Sequence, residues 1–172
     1  MKKTTLSLLF VFALAAFGLG QEVQFKDQNP FAYAYLECTG PYSQMSAKIG
    51  EFMNAYMSQG LGSFSGIMAV YLNMPAQVPE AELKWRIGMP IGKEAVPAAP
   101  LQKAEFNYAK VAVATHVGPY ERVHETYAKM MAYLEKNGWK IVGPPYEMYL
   151  DNPEEVAPEK LRTEITMPVE KK

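Results

Sequence analysis

The clearest pattern in the chain is GPPYEMYLDNPEEVAPEKLRTEITMPV, which spans Gly143–Val169. It predicts a strand over Tyr146–Leu150, a turn over Asp151–Pro158 and a second strand over Leu161–Met167. Pro, Asp and Asn are frequent between the two strands, as is typical of a turn. Pro168 closes the second strand. The stretch therefore predicts two strands that follow one another in a sheet.

The same pattern occurs earlier in the chain, as GIMAVYLNMPAQVPEAELKWRIGMPI over Gly66–Ile91. The two stretches align without a gap at an offset of 78 residues (149 − 71 = 78), so that Tyr71 matches Tyr149 and Pro90 matches Pro168. The chain is therefore predicted to contain an internal duplication.

A helix is predicted before each copy of this pattern. Pro41 and Pro119 suit the first turn of a helix, where a missing N–H costs nothing, and Gly60 and Gly138 suit the ends. The apolar residues of both helices recur at one spacing, which puts them on one face. That face comprises Met45, Ile49, Phe52, Met53 and Tyr56 in the first helix, and Val123, Tyr127, Met130, Met131 and Leu134 in the second.

Further predicted strands complete each copy, at Phe31–Cys38, Phe64–Asn73, Leu83–Pro90 and Glu105–His116. The repeated unit is thus strand–helix–strand–strand, which predicts an α+β fold with antiparallel sheets and one main helix per repeat. We expect a single domain over residues 21–172. It comprises repeat one (about 31–91), a linker rich in Pro and Ala (92–104) and repeat two (about 105–170).

The two repeats are expected to be related by a pseudo-two-fold axis. If each helix covers one face of its own sheet, the other faces meet at the junction between the repeats and form a groove. Small-molecule sites favour such interfaces. The topology therefore predicts a binding cleft between the repeats.

Residues 1–20 are expected to lie outside the fold. Lys2-Lys3 precedes an apolar run, Leu6–Phe17, and Gly18-Leu19-Gly20 suits a cleavage site. This order is typical of a secretory signal peptide, so we expect an exported protein, periplasmic or secreted, without stable membrane insertion after cleavage. A retained anchor is the alternative, although the apolar run is shorter than the roughly 20 residues that a bilayer requires.

Composition and motifs argue against several classes of function. The net charge of −1 at pH 7 argues against a nucleic-acid partner, because such a protein needs a basic face. His116 and His124 lack companions at metal-ligand spacing, so no metal is expected. The sequence has no Ser-His-Asp or Cys-His arrangement and no nucleotide-binding glycine loop, so no cofactor is expected and the catalytic residues stay unassigned.

The duplicated unit, the two G-P-Y helix openings and the ending P-x-E-x-Y…L-x-T-E-I-x-x-P-V together resemble the GyrI-like family. These are effector-binding domains found in gyrase-inhibitory proteins and in AraC- and MerR-type regulators. The resemblance covers about Phe31 to Glu170 and implies a central cleft for apolar or cationic small molecules, lined by aromatic residues and a buried acid. No helix-turn-helix segment precedes the domain in this sequence, so a transcriptional role is not expected.

The resemblance offers two acidic candidates for ligand binding. The family's acidic residue in the last strand falls on Glu164, and the acid of P-x-E-x-Y falls on Glu147. Glu164 could recognise a cation or activate water, or it could instead be a solvated strand residue or pair with Arg86, its repeat counterpart. Glu147 replaces Ala69 of the first repeat, an asymmetry that fits function or drift. Which of the two acids faces the cleft stays open.

Three aromatic residues are further candidates for ligand binding. Tyr71 and Tyr149 match one another in the two repeats and flank the turns, where they could stack on a flat or cationic ligand or pack in the core. Trp85 is also a candidate, although its strand neighbours Ile87 and Met89 favour a core position.

The function predicted first is that of an exported protein that binds aromatic or cationic amphiphiles in the cleft between its repeats. A metal-independent hydrolase is the second hypothesis, with a Glu as general base and a Tyr that orients the substrate. A structural or partner-binding envelope protein is the third. The identity of the ligand and the oligomeric state are not predicted.

Overall fold

The computed structural model describes residues 22–62 and 66–172, so the expected signal peptide lies outside the described residues. Within this part the chain forms nine strands and two long helices. The strands are β1 (Gln24–Asp27), β2 (Phe31–Thr39), β3 (Met68–Tyr71), β4 (Lys84–Ile91), β5 (Gln102–Phe106), β6 (Lys110–Val117), β7 (Trp139–Ile141), β8 (Tyr146–Tyr149) and β9 (Arg162–Lys171). The helices are α1 (Met45–Ser58) and α2 (Val123–Lys136), and 3₁₀ turns occur at Tyr42–Gln44, Glu80–Glu82, Tyr120–Arg122 and Pro158–Lys160.

All the strands belong to one antiparallel sheet in the order β1-β6-β9-β8-β3-β4-β2-β5, and β7 pairs with the end of β9. The repeats meet where β3 pairs with β8, with Ala69 opposite Glu147. These two residues are also repeat counterparts (147 − 69 = 78), so the pseudo-two-fold axis passes through this pair. The α+β fold with one helix per repeat is confirmed, but the two expected sheets are a single continuous sheet.

Both helices cover the same face of this sheet. Directly opposed residues of neighbouring strands share a face, and Ala69, Glu147 and Ile165 are opposed in turn. Phe52 of α1 packs in the cluster that contains Ala69, and Met130 of α2 packs in the cluster that contains Ile165. The expectation that the helix-free faces line the junction is therefore wrong, because hydrogen bonding between β3 and β8 joins the repeats edge to edge.

The helix-free face is filled by an aromatic cluster. The rings of Phe106 and Tyr146 are 5.0 Å apart, although three strands separate β5 from β8 in the sheet. Phe31 stacks on Phe106 at 5.3 Å, and Val111 and Val113 of β6 join the same cluster. The sheet therefore curls around this cluster, and curling closes the face that was expected to form the groove.

Three short strands were missed, namely β1, β5 and β7, and the first two pair with the other repeat. The predicted linker ends inside β5, and the predicted strand Glu105–His116 is two strands, because the chain turns at residues 107–109. β1 and β5 are repeat counterparts (102 − 78 = 24). β1 pairs with β6 of repeat two, whereas β5 pairs with β2 of repeat one. The repeated unit thus contains one strand more than predicted, and these strands tie the repeats together.

The remaining predicted elements differ from the structure mainly at their ends. The strand expected over Phe64–Asn73 is shorter, as β3, and part of its expected range is not described. β9 continues beyond Pro168 to Lys171, where it pairs with β7. Among the described residues, neither helix has the length and apolar character needed to cross a membrane.

Candidate ligand-binding site

Glu147 lies near the middle of the sheet, on the face that the helices cover. The side chain is only 6% exposed. Backbone hydrogen bonds hold β8 in place at both of its ends, since Tyr71 N–H donates to Pro145 C=O and Tyr149 N–H donates to Ile67 C=O. The strand β8 is thus held at both ends, and it places the carboxyl group of Glu147 in a buried, mainly apolar position.

Tyrosine hydroxyls surround this carboxyl group. Tyr71 O–H donates a hydrogen bond to Glu147 Oε2 at 2.9 Å. The hydroxyls of Tyr71 and Tyr149 are 3.4 Å apart. Tyr127 of α2 places its buried hydroxyl near the carboxyl group without a hydrogen bond of good geometry. Three phenols, one from each of β3, β8 and α2, therefore converge on Glu147.

Two more tyrosines extend the cluster at its outer side. The Tyr42 ring meets the Tyr71 ring edge-on, with 5.2 Å between centroids. The Tyr120 ring meets the Tyr149 ring in the same way at 5.4 Å. Tyr42 and Tyr120 are repeat counterparts in the two 3₁₀ turns (120 − 42 = 78). We call Glu147 and these five tyrosines, Tyr42, Tyr71, Tyr120, Tyr127 and Tyr149, the Glu147 cluster.

The protonation of Glu147 follows from its surroundings. Burial raises the pKa of the Glu147 carboxyl to about 7, and the hydroxyls of the three inner tyrosines oppose this rise only in part. None of the ion pairs among the described residues includes Glu147. Burial, with nearby acidic groups, raises the pKa of Tyr71, Tyr127 and Tyr149 well above the usual value, so these phenols stay protonated. The cluster therefore presents hydrogen-bond donors and an uncompensated acid.

A cleft of about 480 Å³ opens beside the cluster, between β3 with its following turn and α2. Tyr71 and Tyr127 line this cleft and also lie next to Glu147. Its mouth carries apolar side chains that are exposed to solvent, namely Leu72, Met131 and Ile141. The other lining residues are Asn73, Met74, Gln77, Gly143, Pro144, Pro145 and Met167.

The structure brings together three of the five candidates from the sequence, Glu147, Tyr71 and Tyr149. Glu164 lies on the helix-free face, where its carboxylate is 3.6 Å from Lys26 Nζ and about a third of the side chain is exposed. Trp85 is fully buried, and its indole N–H donates to Gly40 C=O at 3.0 Å. Glu164 therefore lies outside the Glu147 cluster, whereas Trp85 borders it, because its ring meets the Tyr42 ring edge-on at 6.0 Å.

The sequence interpretation missed Tyr42, Tyr120 and Tyr127. Tyr127 was assigned to the apolar face of its helix, and its hydroxyl gave no separate signal. A signal was nevertheless present, because Tyr127 has Ile49 as its repeat counterpart just as Glu147 has Ala69. Tyr127 and Glu147, two positions at which the repeats differ in residue type, thus lie at one site.

Comparison with known proteins identifies the fold family. The model of the GyrI-like small molecule binding domain matches residues 21–170. This chain belongs to the GyrI-like family. No similar sequence was found among the curated proteins.

Solved structures share the fold of this GyrI-like chain at low sequence identity. The EcmrR C-terminal domain has a TM-score of 0.78 at 18% identity, over 88% of this chain and 99% of that chain. A hydrolase from Listeria innocua has a TM-score of 0.67 at 13% identity, over 87% and 92% of the two chains. SAV2435, solved with bound tetraphenylphosphonium, has a TM-score of 0.57 at 19% identity, over 87% and 94%.

The Glu147 cluster of this GyrI-like domain combines aromatic ring faces with a buried carboxyl group. A cation over a tyrosine ring is attracted by the ring face, and a nearby carboxylate supplies the opposite charge. A cleft of this volume is within the range of small-molecule sites. Among the described residues, no group of three or more His, Cys, Asp or Glu side chains is arranged to hold a metal ion.

Proposed function

We propose that this protein binds aromatic or cationic amphiphiles in the cleft beside the Glu147 cluster. The observation that carries the proposal is a buried carboxyl group with phenols around it and no positive partner among the described residues. A buried charge without a partner is costly, and a cationic ligand would provide the missing charge. The apolar mouth at Leu72, Met131 and Ile141 suits the hydrophobic part of an amphiphile.

The direct test is calorimetric titration at pH 8 with tetraphenylphosphonium, the cation found in SAV2435. We expect Glu147→Gln to weaken binding by at least about tenfold, because the variant removes the charge and keeps the shape. Glu164→Gln is the matched control, since it makes the same chemical change on the other face of the sheet, and it should bind like the wild type. Equal affinity of the wild type and Glu147→Gln would overturn the proposal.

Hydrolysis is a second candidate function, which the raised pKa of Glu147 favours. A carboxyl group with a pKa of about 7 is suited to act as general base near neutral pH, with a tyrosine to orient the substrate. The measurement is turnover of ester substrates by the wild type and by Glu147→Gln. Turnover that is lost in Glu147→Gln would support a hydrolase, whereas no turnover in the wild type would leave binding as the function.

Export of the protein is a further part of the proposal, and it rests on the signal-like residues 1–20. The expected outcome is a periplasmic or secreted protein whose N-terminus follows Gly20, as measured by N-terminal sequencing after cell fractionation. A protein that keeps residues 1–20 and fractionates with the membrane would instead support the retained anchor.

A further inference from the structure

Resting on the proposed function, we propose that Glu147 exchanges its proton for the positive charge of a ligand. The cleft would bind cations when Glu147 is a carboxylate. It would bind neutral aromatic compounds with a strong hydrogen-bond acceptor when Glu147 is a carboxylic acid. One site would therefore accept two chemical classes of ligand, and pH would select between them.

The first support is the set of titratable groups that face Glu147. Tyr71 comes from β3, Tyr149 from β8 itself and Tyr127 from α2, and the 3₁₀ turns before the helices add Tyr42 and Tyr120. All are phenols, and none can supply a positive charge at neutral pH. The negative charge of Glu147 is thus not compensated by any of these five groups.

The other titratable groups near this face are remote from Glu147 or already paired. Cys38 of β2 and His116 of β6 are each two strands away from the β3–β8 pair. His116 is hydrogen-bonded to Thr126 and to the Pro119 carbonyl group. Asp151, which lies near Tyr120, forms an ion pair with Arg162. None of these groups neutralises Glu147.

The second support is the apolar lateral environment of the carboxyl group. Its neighbours on the two flanking strands are Ala69 and Ile165, and both are fully buried. Neither can donate a hydrogen bond from its side chain. Within the part of the chain that the structure describes, phenols are therefore the side chains that stabilise the charged state of Glu147. Burial raises its pKa to about 7, so both states are populated near neutral pH.

The two protonation states suit different ligands for a simple chemical reason. A carboxylate accepts hydrogen bonds and attracts a cation, whereas a carboxylic acid has one O–H to donate. The phenol of Tyr71 can donate to Glu147 in either state, so the cluster keeps its geometry while its charge changes. A cationic ligand therefore competes with the proton of Glu147. A neutral hydrogen-bond acceptor instead requires that proton in order to bind.

The experiment compares two ligands of similar shape with the full chain between pH 5.5 and 8.5. Tetraphenylphosphonium is a permanent cation, and triphenylphosphine oxide is a neutral acceptor. We expect the affinity for tetraphenylphosphonium to fall about tenfold for each pH unit below about 7, because only the carboxylate fraction is competent. Triphenylphosphine oxide should show the opposite trend and weaken above pH 7. Calorimetry in buffers of different ionisation enthalpy should show about one proton released per cation bound at pH 6.

Controls and outcomes separate this inference from the proposed function. Glu147→Gln should bind both ligands without pH dependence, and Glu164→Gln should follow the wild type. Cation binding that is strong and independent of pH would overturn proton exchange and leave the proposed function intact. Absence of tetraphenylphosphonium binding at every pH would overturn both. A pH dependence that persists in Glu147→Gln would assign the exchange to another group and overturn the inference.

Discussion

At the scale of single residues, the buried carboxyl group of Glu147 makes folding depend on pH. Its pKa, about 7, is higher in the folded protein than the value of about 4.3 expected in an unfolded chain. Between these two values the folded state holds more protons than the unfolded state, so stability falls as the pH rises. The burial cost of Glu147 is thus absent below about pH 4 and complete above about pH 7.

Replacing Glu147 by Gln should therefore stabilise the protein at high pH. We expect a gain of up to about 4 kcal/mol in the free energy of unfolding at pH 8, and little change at pH 4. Urea unfolding at both pH values measures this difference. Glu164→Gln, which alters a partly exposed side chain, should stay within about 0.5 kcal/mol of the wild type at both. Destabilisation by Glu147→Gln at pH 8 would show that other groups in the folded protein stabilise the charge of the carboxylate.

The phenol of Tyr71 is expected to lower the pKa of Glu147 from the value that burial alone would give. Tyr71→Phe removes a 2.9 Å hydrogen bond to the carboxylate, so the pKa of Glu147 should rise by about one unit or more. Carboxyl carbon NMR during a pH titration measures this value. Tyr56→Phe is the control, because Tyr56 bonds to the Pro90 carbonyl group instead, and it should leave the titration of Glu147 unchanged. A lower pKa in Tyr71→Phe would contradict the assigned donor.

At the scale of secondary-structure elements, regular patterns in the sequence gave reliable predictions and short edge strands did not. Both helices and the strands beside them were predicted because their apolar residues recur with a clear period. β1 (QFKD) and β5 (QKAEF) are short and mostly polar, so their sequences show no such period. They form strands because β6 and β2 offer open edges, which only the folded chain provides.

Close packing between β2 and β4 explains a glycine on the helix-free face. A Cβ atom on Gly88 would lie 2.6 Å from the backbone oxygen of Ala34 and about 3 Å from the side chains of Tyr33 and Tyr35. We expect Gly88→Ala to destabilise the protein by about 1–3 kcal/mol. Gly92→Ala, in open space just after β4, is the matched control and should be nearly neutral. The test is urea unfolding, and equal stability of the two variants would contradict this packing.

At the scale of the whole molecule, the duplication explains where the site lies and why it is asymmetric. The pseudo-two-fold axis passes between Ala69 and Glu147, which face each other directly. Like charges directly opposite one another are destabilising, so a symmetric pair of acids would be unfavourable here. The sequence alone predicted Glu147, Tyr71 and Tyr149 as candidates, but it did not show that they lie together. Their proximity depends on the pairing of β3 with β8, which are far apart in the sequence.

The exchanged strands β1 and β5 should make the two repeats unfold together. The chain has two tryptophans, Trp85 in repeat one and Trp139 in repeat two, which can report on each repeat separately. The variant Trp139→Phe leaves Trp85 as the fluorescent reporter of repeat one, and Trp85→Phe leaves Trp139 as the reporter of repeat two. In each variant we expect the tryptophan fluorescence and the far-ultraviolet circular dichroism to change at the same urea concentration. Fluorescence transitions that precede or follow the circular dichroism would show that the repeats are independent.

A crystal structure of the full domain with tetraphenylphosphonium at pH 8 would show directly where the cation binds. We expect the cation to lie on the helix-covered face, against Tyr71 and Tyr127 and next to Glu147. A cation bound on the helix-free face beside Glu164, or at a surface remote from the cleft, would contradict it.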